Sequence, residues 1–331
     1  MAFLEKIANI ISYLPFVASC YSGIATIFML HRVDKLDKNK LFPNENMKVS
    51  PEFLENFIRG LMENGYDFIS LDELYDILKS GKKVKKKIIF TLDDGYKDNF
   101  YNAYNIFKKY KIPFTIYVTV AFPERKAVLW WYIIEEIILK NDKIILSDGK
   151  VFYCRTPNEK VDTFMNLRNI IMYELEQKNL LNELRNLFKN YNINWFEKNE
   201  ELCMSWDEII NLSKDPIVTI GNHTVNHLVF SKLSENEILK EIIEANEMLE
   251  DKLGKKIEHF AYPFGDRKSV TKREMDIVKR LNFKTVVTTR FGNIFHKHAD
   301  FCNCCLPRIM LTENFKIKDI GKIRRRRIVY W

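Results

Sequence analysis

Ile88-Ile89-Phe90-Thr91-Leu92-Asp93-Asp94-Gly95 is an apolar run that ends in two acids and a glycine. A short apolar run closed by a turn signal reads as a buried strand. This one delivers two carboxylates to a sheet edge, and Gly95 lets the chain turn where a side chain would crowd that edge. Farther along, His223-Thr224-Val225-Asn226-His227 follows a second strand-like run at 217–220. Either cluster alone is weak evidence. Together they mark the C-terminal strand edge, where parallel α/β folds assemble ligand sites.

Two imidazoles and one carboxylate suit a zinc-like divalent cation with a coordination position left for water. The second carboxylate is then free to act as a base. The residues by themselves therefore point to metal-assisted hydrolysis. A His-x-x-x-His pair on a helix would share one face. Here it follows a strand, so the turn must fold back to bring the rings together.

Outward from these motifs, the pattern alternates strand and helix. Residues 27–30 read as a strand ending at His31, 52–64 and 71–79 as helices, 97–109 as a helix and 114–120 as a strand. The rhythm returns with strand 217–220, helix 235–252, strand 257–262, helix 272–281 and strand 283–289. Such alternation implies parallel pairing through right-handed crossovers. Ser70 with Glu73, Ser234 with Glu237 and Thr271 with Glu274 are capping-box pairs at three helix starts. Residues 125–204 break the rhythm. Trp130 and Trp131 open a helix there, a hairpin is expected around Asp148-Gly149, and helical sequence follows. The two tryptophans could stack on sugar rings or dock this insertion on the core.

The chain has 331 residues, 47% of them hydrophobic, 29% charged, with a formal charge of +8. This is enough for a large α/β domain with an insertion, and excludes disordered or fibrous classes. The six cysteines show no disulfide framework, and Cys302-Asn303-Cys304-Cys305 is too tight for a zinc knuckle. Free thiols in a reducing, cytoplasmic compartment are expected. Residues 7–30 carry no formal charge but are broken by Pro15, so a short amphipathic helix and then a strand are expected, with a membrane span as the alternative. Arg324 to Arg327 beside an aromatic end could rest on the anionic inner face of a membrane, could meet nucleic acid, or form a plain basic terminus. The rest of the chain lacks interleaved aromatic and basic residues, so no nucleic-acid partner is expected.

Thr91-Leu92-Asp93-Asp94-Gly95 resembles the first motif of the NodB-type polysaccharide deacetylases, carbohydrate esterase family four. His223-Thr224-Val225-Asn226-His227 resembles the second, and Phe260-Ala261-Tyr262-Pro263-Phe264-Gly265 a common form of the third. Leu306-Pro307-Arg308-Ile309 resembles the closing segment of one branch. The likeness implies a distorted seven-stranded (β/α) barrel with a largely helical insertion. It implies one divalent metal ion, zinc first and cobalt, nickel or manganese as alternatives, held by Asp94, His223 and His227. Asp93 would be the catalytic base, and the Phe264 backbone N–H would steady the oxyanion. The substrate would be an N-acetylated polysaccharide or lipid-linked glycan of the cell envelope, losing acetate. Tyr262, Pro263, Arg308 and Trp130 are the candidate substrate-binding residues.

Two departures from the family pattern matter. The third-motif arginine that orients the catalytic aspartate in many members is Ala261 here. The late Leu-x-His that supplies a general acid is missing. His31 is the favoured substitute, as acid or substrate contact. Arg308 could bind a glycan carboxylate or phosphate, or brace Asp93. His259 reads as structural, and His296 and His298 as surface residues that could close over the site. The expected organisation is an N-terminal helical segment 1–23, barrel parts 24–124 and 205–311, the insertion 125–204, and a basic tail 312–331. Hydrolysis of another C–N bond in a cyclic amide or imide, or an inactive glycan-binding relative, are the alternative functions.

Overall fold

The computed structural model describes residues 22–321. The expected N-terminal helix and membrane question, and the arginine-rich tail, lie outside them. Seven strands close into a parallel barrel: β1 (Ala25–Leu30), β2 (Lys87–Leu92), β3 (Phe114–Val118), β4 (Val218–Asn222), β5 (His259–Ala261), β6 (Thr285–Phe291) and β7 (Leu306–Met310). They lie around the barrel in chain order, and β7 pairs with β1 to close it. A short strand, Asp67–Phe68, pairs in parallel with the first residues of β2.

Alternation along each strand decides what faces inward. Ile88, Phe90 and Leu92 point outward into one apolar cluster with Leu54, Phe57 and Phe107 of the surrounding helices. Ile89 joins an inner cluster with Ile27, Tyr117, Ala261 and Val287. The same alternation directs Thr91 and Asp93 inward toward Arg308 of β7. Helix α1 (Leu71–Ser80) lays Leu71, Leu74 and Leu78 on that inner cluster, plugging the barrel at the N-terminal end of its strands. Its Ser70/Glu73 capping box is formed. Gly221 faces inward too, and a Cβ there would stand 2.5 Å from the Tyr117 ring.

The stretch between β3 and β4 is mainly helical. It holds α2 (Trp130–Lys140), an antiparallel hairpin of Lys143–Ile145 with Val151–Tyr153, and α3 (Pro157–Tyr173). The expected helix at 97–109 is a wide helical turn, Asn99–Ala103, leading into a regular helix, Tyr104–Tyr110. No helix among the described residues is long and apolar enough to cross a membrane. Cys154, Cys203, Cys302, Cys304 and Cys305 are free thiols.

Candidate active site

The strand ends deliver the motif side chains through unusual backbone. Asp94, Thr224, His227 and Phe264 all have positive φ, at 76°, 69°, 56° and 58°. Non-glycine residues pay for that conformation, and a run of them around one pocket marks a place where position outweighs local strain. Gly95, at φ 96°, continues the turn after the two acids.

The turn after β4 folds back. Thr224 N–H donates to Asn222 Oδ1 at 2.6 Å, and His227 N–H to Thr224 Oγ1 at 3.0 Å. Glu241, on helix α4 (Glu235–Leu253), accepts from Asn226 N–H at 2.8 Å and from Asn226 Nδ2 at 2.6 Å. These bonds bring both rings of the pair to Asp94. Asp94 Oδ1 lies 3.3 Å from His223 Nε2 and 3.3 Å from His227 Nε2. All three ligand atoms lie within 4.8 Å of one another.

This donor set fits a divalent cation. Asp94 Oδ1 is buried and accepts no hydrogen bond among the described residues. His223 Nδ1 lies 2.7 Å from the Ala261 carbonyl. That contact places the ring proton on Nδ1 and leaves the Nε2 lone pair directed at Asp94. Burial pushes the His227 pKa down to about 4 despite the pull of Asp94. The ring is therefore neutral at neutral pH, the form a metal requires. Burial raises the Asp94 pKa, but the imidazoles of His227, His223 and His31 outweigh it and hold the carboxyl well below its usual range.

Asp93 takes a different partner. Arg308 grips it with two parallel bonds, Nη1 to Oδ1 at 2.6 Å and Nη2 to Oδ2 at 2.7 Å. The guanidinium is 1% exposed and also donates to Thr91 Oγ1 and to the Thr288 carbonyl, each at 3.0 Å. It crosses the Tyr117 ring at 5.7 Å from the centroid. Burial raises the Asp93 pKa, but Arg308, helped by His223 and His31, brings it below the ordinary value. Arg308 thus braces Asp93 from β7, two strands around the barrel from the β5 strand of Ala261. Its expected place among substrate contacts is corrected, because the guanidinium is buried inside the barrel and gripped by Asp93.

His31 follows β1 and puts Nε2 4.0 Å from Asp93 Oδ2. Its Nδ1 is buried without a partner among the described residues. Burial lowers its pKa against the attraction of Asp94 and Asp93. Asn99 Nδ2 holds the His31 carbonyl at 2.9 Å, while Asp98 receives Arg32 Nε at 2.6 Å and Val33 N–H at 3.0 Å. The backbone that carries His31 is therefore clamped from the segment just past the two acids.

Other expectations change. Trp130 is 3% exposed inside a core cluster with Phe164, Leu167 and Trp195, so it has no face for a sugar. Trp131 is the residue at the site. Its ring lies 5.5 Å from that of His227, and its Nε1 donates to Tyr96 Oη at 3.1 Å. Tyr262 is fully buried, with its hydroxyl donating to the Cys304 carbonyl at 3.0 Å, and Pro263 is buried as well. Neither side chain is exposed where a substrate could touch it. The Phe264 ring, by contrast, sits 4.6 Å from that of His227.

His259 starts β5 at the plugged end, with Nδ1 2.8 Å from Thr285 Oγ1. His296 and His298 lie in a turn held against α1 by Lys79 Nζ and the Ala299 carbonyl, at 3.4 Å. They are at the opposite end from Asp93 and cannot close over it. Sequence reading missed Tyr96 and the Arg32–Asp98 pair. An aromatic one residue past Gly95 was the available signal for the first; the second had none.

A parallel barrel that gathers paired acids and paired histidines at one strand edge defines a hydrolase class of site. The chain matches the polysaccharide deacetylase family over residues 80–144 and 161–286, more than half its length, and belongs to that family, in its NodB-type group. Over 74 residues, 22% of this chain, it is 34% identical to YxkH of Bacillus subtilis (strain 168), which carries a provisional polysaccharide deacetylase assignment. That match spans only 26% of YxkH. The fold is similar to that of the Streptococcus pyogenes deacetylase PplD, solved in complex with acetate, at 19% identity and a TM-score of 0.56 over 88% of this chain and 93% of PplD. It is also similar to IcaB from Ammonifex degensii, at 17% identity and a TM-score of 0.55 over 91% of this chain and 95% of IcaB. At these identities the likeness is one of fold.

Proposed function

We propose that this protein removes N-acetyl groups from an amino-sugar glycan, using a divalent metal. One observation carries the reading: Asp94 meets both imidazoles while Asp93, its neighbour, is held apart by Arg308. Asp94, His223 and His227 would hold the ion, zinc being the best match to one oxygen and two nitrogen donors. Such an ion, when bound, supplies Lewis acidity toward an amide carbonyl and toward water.

The chain's own residues do the rest. Asp93 stays ionised and accepts the proton of the attacking water. Its lowered pKa makes it a weaker base, but the Arg308 clamp fixes its direction, and geometry comes before basicity. His31 is close enough to Asp93 to exchange a proton through a small motion, and its Nδ1 has no hydrogen-bond partner among the described residues. It is the candidate acid for the departing amine. The Phe264 backbone, beside His227, is the candidate oxyanion donor. Trp131 forms the aromatic wall where a sugar ring would lie.

The test is acetate release from N-acetylglucosamine oligomers by protein first stripped with chelator and then reloaded with zinc, cobalt or nickel. Zinc-restored release supports the reading. Metal uptake without release from any acetylated glycan would overturn it.

A further inference from the structure

Cys304 and Cys305 stand outside the chemistry described so far, in the turn that leads into β7. Their sulfurs are 3.3 Å apart. We propose that they are an oxidant-sensitive pair, closing to a vicinal disulfide when the protein meets hydrogen peroxide.

The two thiols are not equivalent. Cys304 is 2% exposed, whereas Cys305 is partly exposed. The two sulfurs are in hydrogen-bond contact, either thiol being able to donate, and the Cys304 thiol also has the Phe301 carbonyl as an acceptor at 3.5 Å. The positive charges of Arg290 and Lys279 lie near the Cys305 sulfur. Together these outweigh burial and lower the Cys305 pKa, while Cys304 is raised by its bond to Cys305 and by burial. The nucleophile at a thiol pair is the thiolate, and access sets which one reacts.

The chemistry balances as follows. The Cys305 thiolate attacks one peroxide oxygen, the O–O bond breaks, and hydroxide leaves, giving a sulfenic acid at Cys305. The Cys304 thiol then attacks that sulfur. The S–O bond breaks, the S–S bond forms, and water leaves. Two thiols are oxidised and one peroxide is reduced to two waters.

Contact between the sulfurs makes the second step effectively intramolecular. The surrounding turn supplies the frame: Cys304 and Cys305 N–H both donate to the Phe301 carbonyl, at 3.1 and 3.0 Å. Cys302 faces elsewhere, with its thiol donating to the Ala299 carbonyl at 3.4 Å. It is not the expected partner.

The experiment uses the whole reduced protein, titrated with hydrogen peroxide, alkylated, and mapped by mass spectrometry. The expected product is a peptide lighter by two hydrogen atoms, protected at 304 and 305, alkylated at Cys302 after unfolding, and restored by dithiothreitol. In Cys304→Ser, dimedone should trap a sulfenic acid at Cys305. Cys305→Ser should slow peroxide consumption by about tenfold or more. Cys302→Ser should leave closure unchanged. Pairing through Cys302, over-oxidation of Cys305 without closure in the parent protein, or equally fast oxidation of buried Cys154 would each overturn the assignment. Because the parent protein and Cys302→Ser decide it, a folding failure of the other variants does not matter.

Discussion

Arg308 and Asp93 are 215 positions apart in the chain and meet through two parallel hydrogen bonds inside the barrel. The pair makes up for Ala261, which stands where many relatives carry the orienting arginine. The same task is done from another strand, so the direction of the carboxylate depends on the barrel having closed.

Arg308→Met would leave a buried carboxylate without its cation. Removing one member of such a pair costs roughly 3–5 kcal/mol. Urea unfolding should show that loss, and the acidic limb of the pH–rate profile should move to higher pH as Asp93 becomes easier to protonate. A raised KM with unchanged stability and pH profile would instead mean that Arg308 serves the substrate.

The two neighbouring acids should separate by assay. Asp93→Asn is expected to lower turnover by at least about a hundredfold while keeping most zinc affinity. Asp94→Asn and His227→Ala are expected to lose the zinc itself, read by calorimetry. Equal zinc loss in Asp93→Asn and Asp94→Asn would contradict the division of roles.

Acid should weaken the metal-free protein in a defined window. His227 has a folded pKa near 4 against an ordinary value of 6.5. The unfolded chain therefore binds a proton that the folded one refuses. Stability from this group is whole above about pH 6.5 and falls as the pH drops toward 4, by about 3 kcal/mol in all. Asp93, lowered in the fold, adds a further loss below its ordinary value of 3.8. Melting temperatures of the metal-free protein between pH 7 and pH 4 test the first slope, which His227→Gln should flatten.

The adjacent tryptophans should behave oppositely. Trp130→Ala empties a core position and should cost about 3–5 kcal/mol. Trp131→Ala should leave most of the stability in place and raise KM for an oligosaccharide. The reverse pattern would return the sugar platform to Trp130.

His31→Gln should cut kcat by roughly a hundredfold or more if the imidazole carries the amine's proton. Zinc affinity should hardly change. An unaltered kcat would mean that another group protonates the leaving amine.

The strand–helix alternation, the capping boxes and the two motif clusters were all legible along the chain, because each arises from contacts within a few residues. Ile88 to Leu92 could be read as a strand, and Asp93 and Asp94 placed at its end, without any partner in view. Orientation was not legible. Neighbouring residues on a helix diverge by about 100°, so only packing of α2 could decide that Trp130 is core and Trp131 faces His227. Nor could a local pattern show that the His223 turn leans on Glu241, or that Tyr262 turns its hydroxyl inward to Cys304. The amino-acid sequence determined the family and which side chains are chemically able to act. Closure of the barrel decided which acid meets the imidazoles and which meets Arg308, since a buried charge settles only where three-dimensional neighbours satisfy it.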